Sequence, residues 1–263
     1  MLKKYFKIYR VFFNNAVSYE AQYRRDTLIK FVVNLLWIGM MFITIEVIFA
    51  HTNDIIGWTK AEVYLMTVLW IIADELYVAL FGTNLENLPN RITDGDLDVY
   101  LTKPMNALFA VSCRTVLIRG VMRFFTQIPI LIWLIWRFDF AVSFVSIILC
   151  TLLVAVAIWV DYSRVLIANT LSFWFHRIDN VNQLIGSLSA LGKYPLSVWP
   201  RTVKIIFLTA VPIAFSGFIP VATLVGRWPW YGVLYAFVFA ALLFLMAVKF
   251  WNLALKSYSS ASS

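Results

Sequence analysis

The run Leu28–Ala50, LIKFVVNLLWIGMMFITIEVIFA, leaves this chain few ways to fold. Its twenty-three residues hold one lysine near the start and one glutamate near the end. At about 1.5 Å of rise per residue, a helix of that length reaches ~34 Å, enough for a hydrocarbon core of ~30 Å. In water such a run would need an apolar partner on every side. In lipid it needs only its own backbone hydrogen bonds. About five or six stretches of the chain share this character, so the expectation is an integral membrane protein.

Composition sets the scale. Hydrophobic residues make up 62% of the 263 and charged residues 14%, against roughly 45–50% and ~25% in soluble domains. Without a long polar stretch, residues 1–263 form one transmembrane domain with no room for a soluble catalytic one. Trp58, Trp133, Trp136, Trp228, Trp230 and Tyr231 lie near span ends, as interfacial aromatics do. The formal charge of +8 need not mean nucleic acid: seven of the twenty-two basic residues precede position 31. Lysine and arginine there hold a cytoplasmic end against anionic lipid.

The N-terminal apolar residues are interleaved with Lys3, Lys4, Lys7 and Arg10, so a cleaved signal peptide is not expected. Tyr5, Tyr9, Phe12, Ala16 and Tyr19 repeat at three and four, which predicts an amphipathic helix over 1–27 lying in the membrane surface. Spans follow at Leu28–Ala50 and about Glu62–Gly82. The polar stretch 83–106 reads as a cytoplasmic loop containing a short helix, with Leu85, Leu88 and Ile92 on one face. A third span covers about Val116–Trp136. Residues Phe140–Phe175 make one long helix in which Asp161 and Arg164 lie one turn apart and can pair. For 180–226 two topologies stay open: 181–199 or 202–225 is the fifth span. Charge counting favours the second. The last span is Tyr231–Trp251, and both termini are expected in the cytoplasm.

Catalytic chemistry is not expected. Gly186–Tyr194 has five residues between its glycines, and Tyr194 follows Lys193. A phosphate-binding loop needs four residues there, and serine or threonine after the lysine. His51 and His176 are far apart, and Cys113 and Cys150 show no metal-ligand spacing. No metal ligand set emerges. Glu46, Asp74, Glu75, Asp161 and Arg164 fall inside or near spans, where charge is costly facing lipid. They are expected to face protein or water, except that Glu46 and Glu75 can also sit at headgroup depth.

Asp94-Gly95-Asp96-Leu97-Asp98 runs into Tyr100-Leu101-Thr102-Lys103-Pro104, and Gly192-Lys193-Tyr194-Pro195 and Val211-Pro212-Ile213-Ala214-Phe215 with Pro220 follow. In these segments the chain resembles the membrane subunit of ABC-2 type transporters, in a bacterial branch of similar length. The resemblance implies an all-α fold of six transmembrane helices, with an N-terminal interfacial helix and a Gly/Pro-rich re-entrant outer hairpin over 192–226. It favours 181–199 as the fifth span. It assigns coupling to an ATPase to Leu85, Leu88, Ile92, Asp94, Gly95, Leu97, Asp98, Lys103 and Pro104, and to Arg177 and Asp179. The outer hairpin takes Gly192, Tyr194, Pro195, Pro212 and Pro220.

What the resemblance implies in function is a permease of the bacterial cytoplasmic membrane that exports a lipid, drug-like or other amphipathic compound. Its partners would be a cytoplasmic ATPase, which holds the ATP and magnesium, a second permease subunit, identical or related, and membrane lipid. No cofactor is expected in this chain. An accessory scaffold, or a secondary transporter working without an ATPase, are the competing classes.

Overall fold

The computed structural model describes residues 2–22, 24–175 and 179–258. Two long helices open the chain, α1 (Leu2–Gln22) and α2 (Arg24–Phe49). Helix α3 (Lys60–Tyr77) starts with a capping box in which Thr59 and Glu62 exchange hydrogen bonds, satisfying amide groups the first turn leaves free. It does not stop where the polar sequence begins. A π-helical turn (Val78–Gly82) carries it into α4 (Thr83–Glu86), α5 (Leu88–Thr93) and α6 (Leu97–Leu101). After α7 (Ala107–Cys113) come α8 (Ile118–Arg137) and α9 (Phe144–Thr170). Helices α10 (Asp179–Ser189), α11 (Arg201–Leu208) and α12 (Phe218–Leu224) are short, and α13 (Trp230–Lys256) closes the chain.

Among the described residues, five helices are long and apolar enough to cross a membrane. They are Arg25–Phe49, Lys60–Thr93, Ile118–Arg137, Phe144–Phe173 and Trp230–Lys256. The protein is an all-α, multi-pass membrane protein. Its centre is α3: 78% of its most apolar stretch is buried inside the protein, against 17% for α2, α8 and α13. Those three therefore turn apolar faces away from the rest of this chain.

Contacts fix the directions. Arg227 meets Glu62 at 2.8 Å and donates to the Gly57 carbonyl, so α3 and α13 both start at this end, called here the Trp58 end. Trp159 packs on Phe244 and, further along, Phe173 on Trp251; α9 and α13 run parallel. At the opposite end, the Leu97 end, a second core gathers Leu85, Leu88, Leu97 and Tyr100 with Leu166 and Trp251.

Residues 179–226 contain the expected re-entrant break but neither of the two candidate fifth spans as one helix. Neither 181–199 nor 202–225 is a straight span. The pair Arg201–Leu208 and Ile213–Leu224 is apolar enough only when taken together, and it bends by 78°. Prolines explain the breaks: Pro195, Pro200 and Pro212 immediately precede Leu196–Val198, Arg201–Leu208 and Ile213–Phe215. A proline fixes φ for a new turn and cannot donate to the previous one. Pro220 sits within the first turn of α12, where no intrahelical donor is lost.

The chain leaves the Leu97 end at α10, where Asn182 bonds Asn169 and the Glu86 carbonyl. It reaches the Trp58 end at Leu208, whose carbonyl accepts from Tyr235. It then dips back to Ser216 and rises again through α12 to Arg227. The crossing thus lies in two pieces, followed by a re-entrant segment. Both meet at the middle of α3. A Cβ on Gly192 would fall 2.6 Å from the Ile213 carbonyl oxygen, and one on Gly217 would fall 2.5 Å from that of Gly192. Only glycine allows this backbone approach.

Candidate functional site

The segment read as a loop, 83–106, is mostly helix. Leu85, Leu88 and Leu97 are fully buried and Ile92 is partly buried, all in the second core. A three-and-four repeat predicts an apolar face but not what covers it, and here α9 and α13 of the same chain do. These leucines therefore cannot be the exposed knob the sequence suggested. The surface of the segment is mostly polar instead: Glu86, Asn90, Thr93, Asp94 and Asp96 are exposed, with Val99 and Leu101 exposed among its apolar side chains.

Gly95 holds a positive φ of +78°, a left-handed turn between α5 and α6 that a side chain would strain. Asp98 lies beside Tyr258. Tyr100 is 5% exposed and lies among three cations: Arg91, Lys103 and Arg114 approach its ring centroid at 5.1, 5.7 and 5.2 Å. Arg114 also donates to its hydroxyl at 2.8 Å. Lys4 of α1 donates to the Pro104 carbonyl at 2.9 Å, and Tyr5 packs edge-on against Phe109 at 4.8 Å. The N-terminal helix is thereby clipped to the 104–109 segment. Arg177, like His176, lies outside the described residues, and Asp179 opens α10.

Asn84 was missed by the sequence reading. It is fully buried, donates to the Thr115 carbonyl at 2.6 Å and accepts from the Thr115 amide at 3.0 Å. A buried asparagine at such a junction needs both bonds. Nothing in the sequence sets Asn84 apart from the other polar residues of the 83–106 stretch.

The predicted membrane-embedded charges fall into three places. Glu46 sits at the Trp58 end, accepting from Tyr64 at 2.6 Å and Lys60 at 3.0 Å, with its side chain 56% exposed. Asp161 and Arg164 pair at 2.6 Å inside the protein, and Ser216 adds a bond to Asp161 at 3.1 Å. Asp74 and Glu75 line a cavity of about 570 Å³ between α2, α3 and the start of α8. Glu75 contacts Arg123 at 2.9 Å. Near the cavity, Lys193 of the GKYP segment places its ammonium 5.8 Å from the Trp70 ring centroid and 5.3 Å from that of Tyr194. Tyr194 is partly buried, while Pro195, Pro212 and Pro220 are buried.

A central buried helix is prolonged into a structured polar end, with charged pairs inside the bundle and a re-entrant segment beside it. No curated protein matches the chain at significant similarity. The family described as ABC-2 family transporter protein matches residues 35–262. That is most of the chain, from the middle of the first span through the last, so it belongs to the ABC-2 transporter family, as a membrane permease component of an ABC-type transporter.

Proposed function

We propose that the chain is the membrane subunit of an ATP-driven exporter that moves a lipid, drug-like or other amphipathic compound outward. Two such subunits, identical or related, enclose the path. ATP and magnesium belong to a separate ATPase docked at the Leu97 end, which is cytoplasmic in the bacterial inner membrane. The observation that carries this reading is the continuity of α3 through Thr93 into the 83–101 segment. That segment packs onto α9 and α13, so a push on its polar surface moves the central helix and two others together.

The basic N-terminal helix supports the orientation. It is tied to the same end through Lys4 and Tyr5, and basic termini stay on the cytoplasmic side. The coupling contact shifts from Leu85, Leu88 and Ile92 to the exposed Asn90, Asp94 and Asp96, with Lys103 and Pro104 at the edge. A cysteine at Asp94 tests it: it should cross-link to a co-expressed ATPase, with a yield that changes on adding ATP. No cross-link from Asp94, Asn90 or Asp96 would remove this surface from the interface.

A further inference from the structure

The cavity beside α3 holds one carboxylate that pairs with none of its cations. Lys30 pairs with Asp26 at 2.7 Å, Arg119 with Asp26 at 2.9 Å and with Glu20 at 3.5 Å, and Arg123 with Glu75 at 2.9 Å. Each of these three cations is thus held by a carboxylate, Asp26 and Glu20 lying outside the lining. Asp74, which also lines the cavity, has no hydrogen bond or ion pair among the described residues. The charges acting on it from further away are those of Asp161, Arg164, Glu86 and Arg123. Arg164 is held by Asp161 and Arg123 by Glu75. Among the described residues no cation pairs with Asp74, and Lys193, which has no carboxylate partner of its own, lies over the Trp70 ring instead.

A carboxylate in a span is costly unless it finds a partner or water. The walls around Asp74 suit more than water. Trp37 and Trp70 stand 6.2 Å apart, tilted by 41°, with Phe31, Ile71 and Met122 nearby. Asn34, only 6% exposed, lines the same cavity with a side-chain nitrogen that has no partner. Aromatic faces attract cations as well as apolar groups. Lys193 already covers Trp70, so the free aromatic surface for a cation is that of Trp37.

We infer that this cavity binds an amphiphile bearing one ammonium-like cation, with the cation at Asp74 and the apolar part against Trp37 and Trp70. The inference deepens the export reading by naming a ligand class, but binding alone tests it, without an ATPase. An ammonium group comes from a phosphatidylethanolamine headgroup or from a soluble amphiphilic amine, and the test separates the two.

The purified full-length chain in a neutral maltoside detergent is titrated with tetraphenylphosphonium and with tetraphenylborate, its size-matched anion, following tryptophan fluorescence. Tetraphenylphosphonium should bind at least tenfold tighter than the anion. Asp74→Asn should lose at least tenfold of that affinity, Asp74→Glu should keep most of it, and Trp37→Leu should weaken the cation alone. Competition by added phosphatidylethanolamine, but not phosphatidylglycerol, assigns the site to the lipid headgroup; no competition assigns it to the soluble amine. Equal affinity for cation and anion in the unaltered chain, or unchanged cation binding in Asp74→Asn, would overturn the site, and the first comparison needs no variant to fold.

Discussion

Ser216 donates a hydrogen bond to Asp161 Oδ2 at 3.1 Å, joining the tip of the re-entrant segment to the middle of α9. The same carboxylate holds Arg164 at 2.6 Å, and both side chains are largely buried. The bond closes a gap of 55 residues and decides how deep the returning chain goes.

Removing Asp161 should therefore do more than loosen a loop. Asp161→Ala leaves the Arg164 guanidinium buried without a counter-ion, a loss of about 3–5 kcal/mol. Thermal unfolding in detergent should show a clear fall in midpoint. The double variant Asp161→Leu with Arg164→Met should recover most of it, because no unpaired charge remains. A double variant as unstable as the single one would mean the pair itself, not its charge balance, supports the fold.

The two glycines at the break respond differently from a third. Gly192→Ala and Gly217→Ala each push a methyl group against backbone carbonyl oxygens, at 2.6 and 2.5 Å, and overpacking of this kind costs about 1–3 kcal/mol. Nothing lies within 4 Å of a Cβ on Gly186 in α10, so Gly186→Ala should leave the midpoint unchanged or raise it slightly. Equal shifts for all three would contradict the close approach.

Asn84→Leu should cost about 1–3 kcal/mol, since the Thr115 amide and carbonyl both lose their partner. Hydrogen exchange at Thr115 should speed up while amides in the middle of α9 keep their protection. Unchanged exchange at Thr115 would show that water or another group serves it.

Cys113 should be slow to alkylate. Burial pushes its thiol up to about 11, so at pH 8 only about one molecule in a thousand carries the thiolate, the reactive form. The rate should climb about tenfold per pH unit between pH 8 and 10, because pH is rising toward the thiol's folded value. Labelling at pH 8 as fast as in the denatured chain would contradict the packing of α7.

How far the sequence goes can be followed residue by residue. Leu28–Ala50 and Tyr231–Trp251 read correctly as helices because length and hydropathy are local quantities, and Asp161 and Arg164 read as a pair because i,i+3 spacing is also local. The end of the second span does not. Residues 83–93 are polar and hold Pro89, yet the helix runs on to Thr93 before turning at Gly95, because Leu85 and Leu88 find α9 and α13 to pack against. The broken crossing fails for a related reason: the prolines announce interruptions, while the direction of each piece depends on Gly192 meeting Ile213 and Gly217. The cavity was beyond reach, since Asp74 is left without a partner only because Arg119 pairs with Asp26 and Arg123 with Glu75, contacts between distant parts of the chain.

The central claim is that a separate ATPase drives this permease through the Leu97 end. The most direct measurement is ATP-dependent transport by the reconstituted chain, with and without the ATPase that co-purifies with it from its native membrane. Uptake of an amphipathic cation into inverted vesicles should require both that ATPase and ATP, and Asp94→Arg should abolish it while leaving the chain inserted. A chain that recovers no ATPase, and carries the compound unchanged when ATP is absent, would contradict the account.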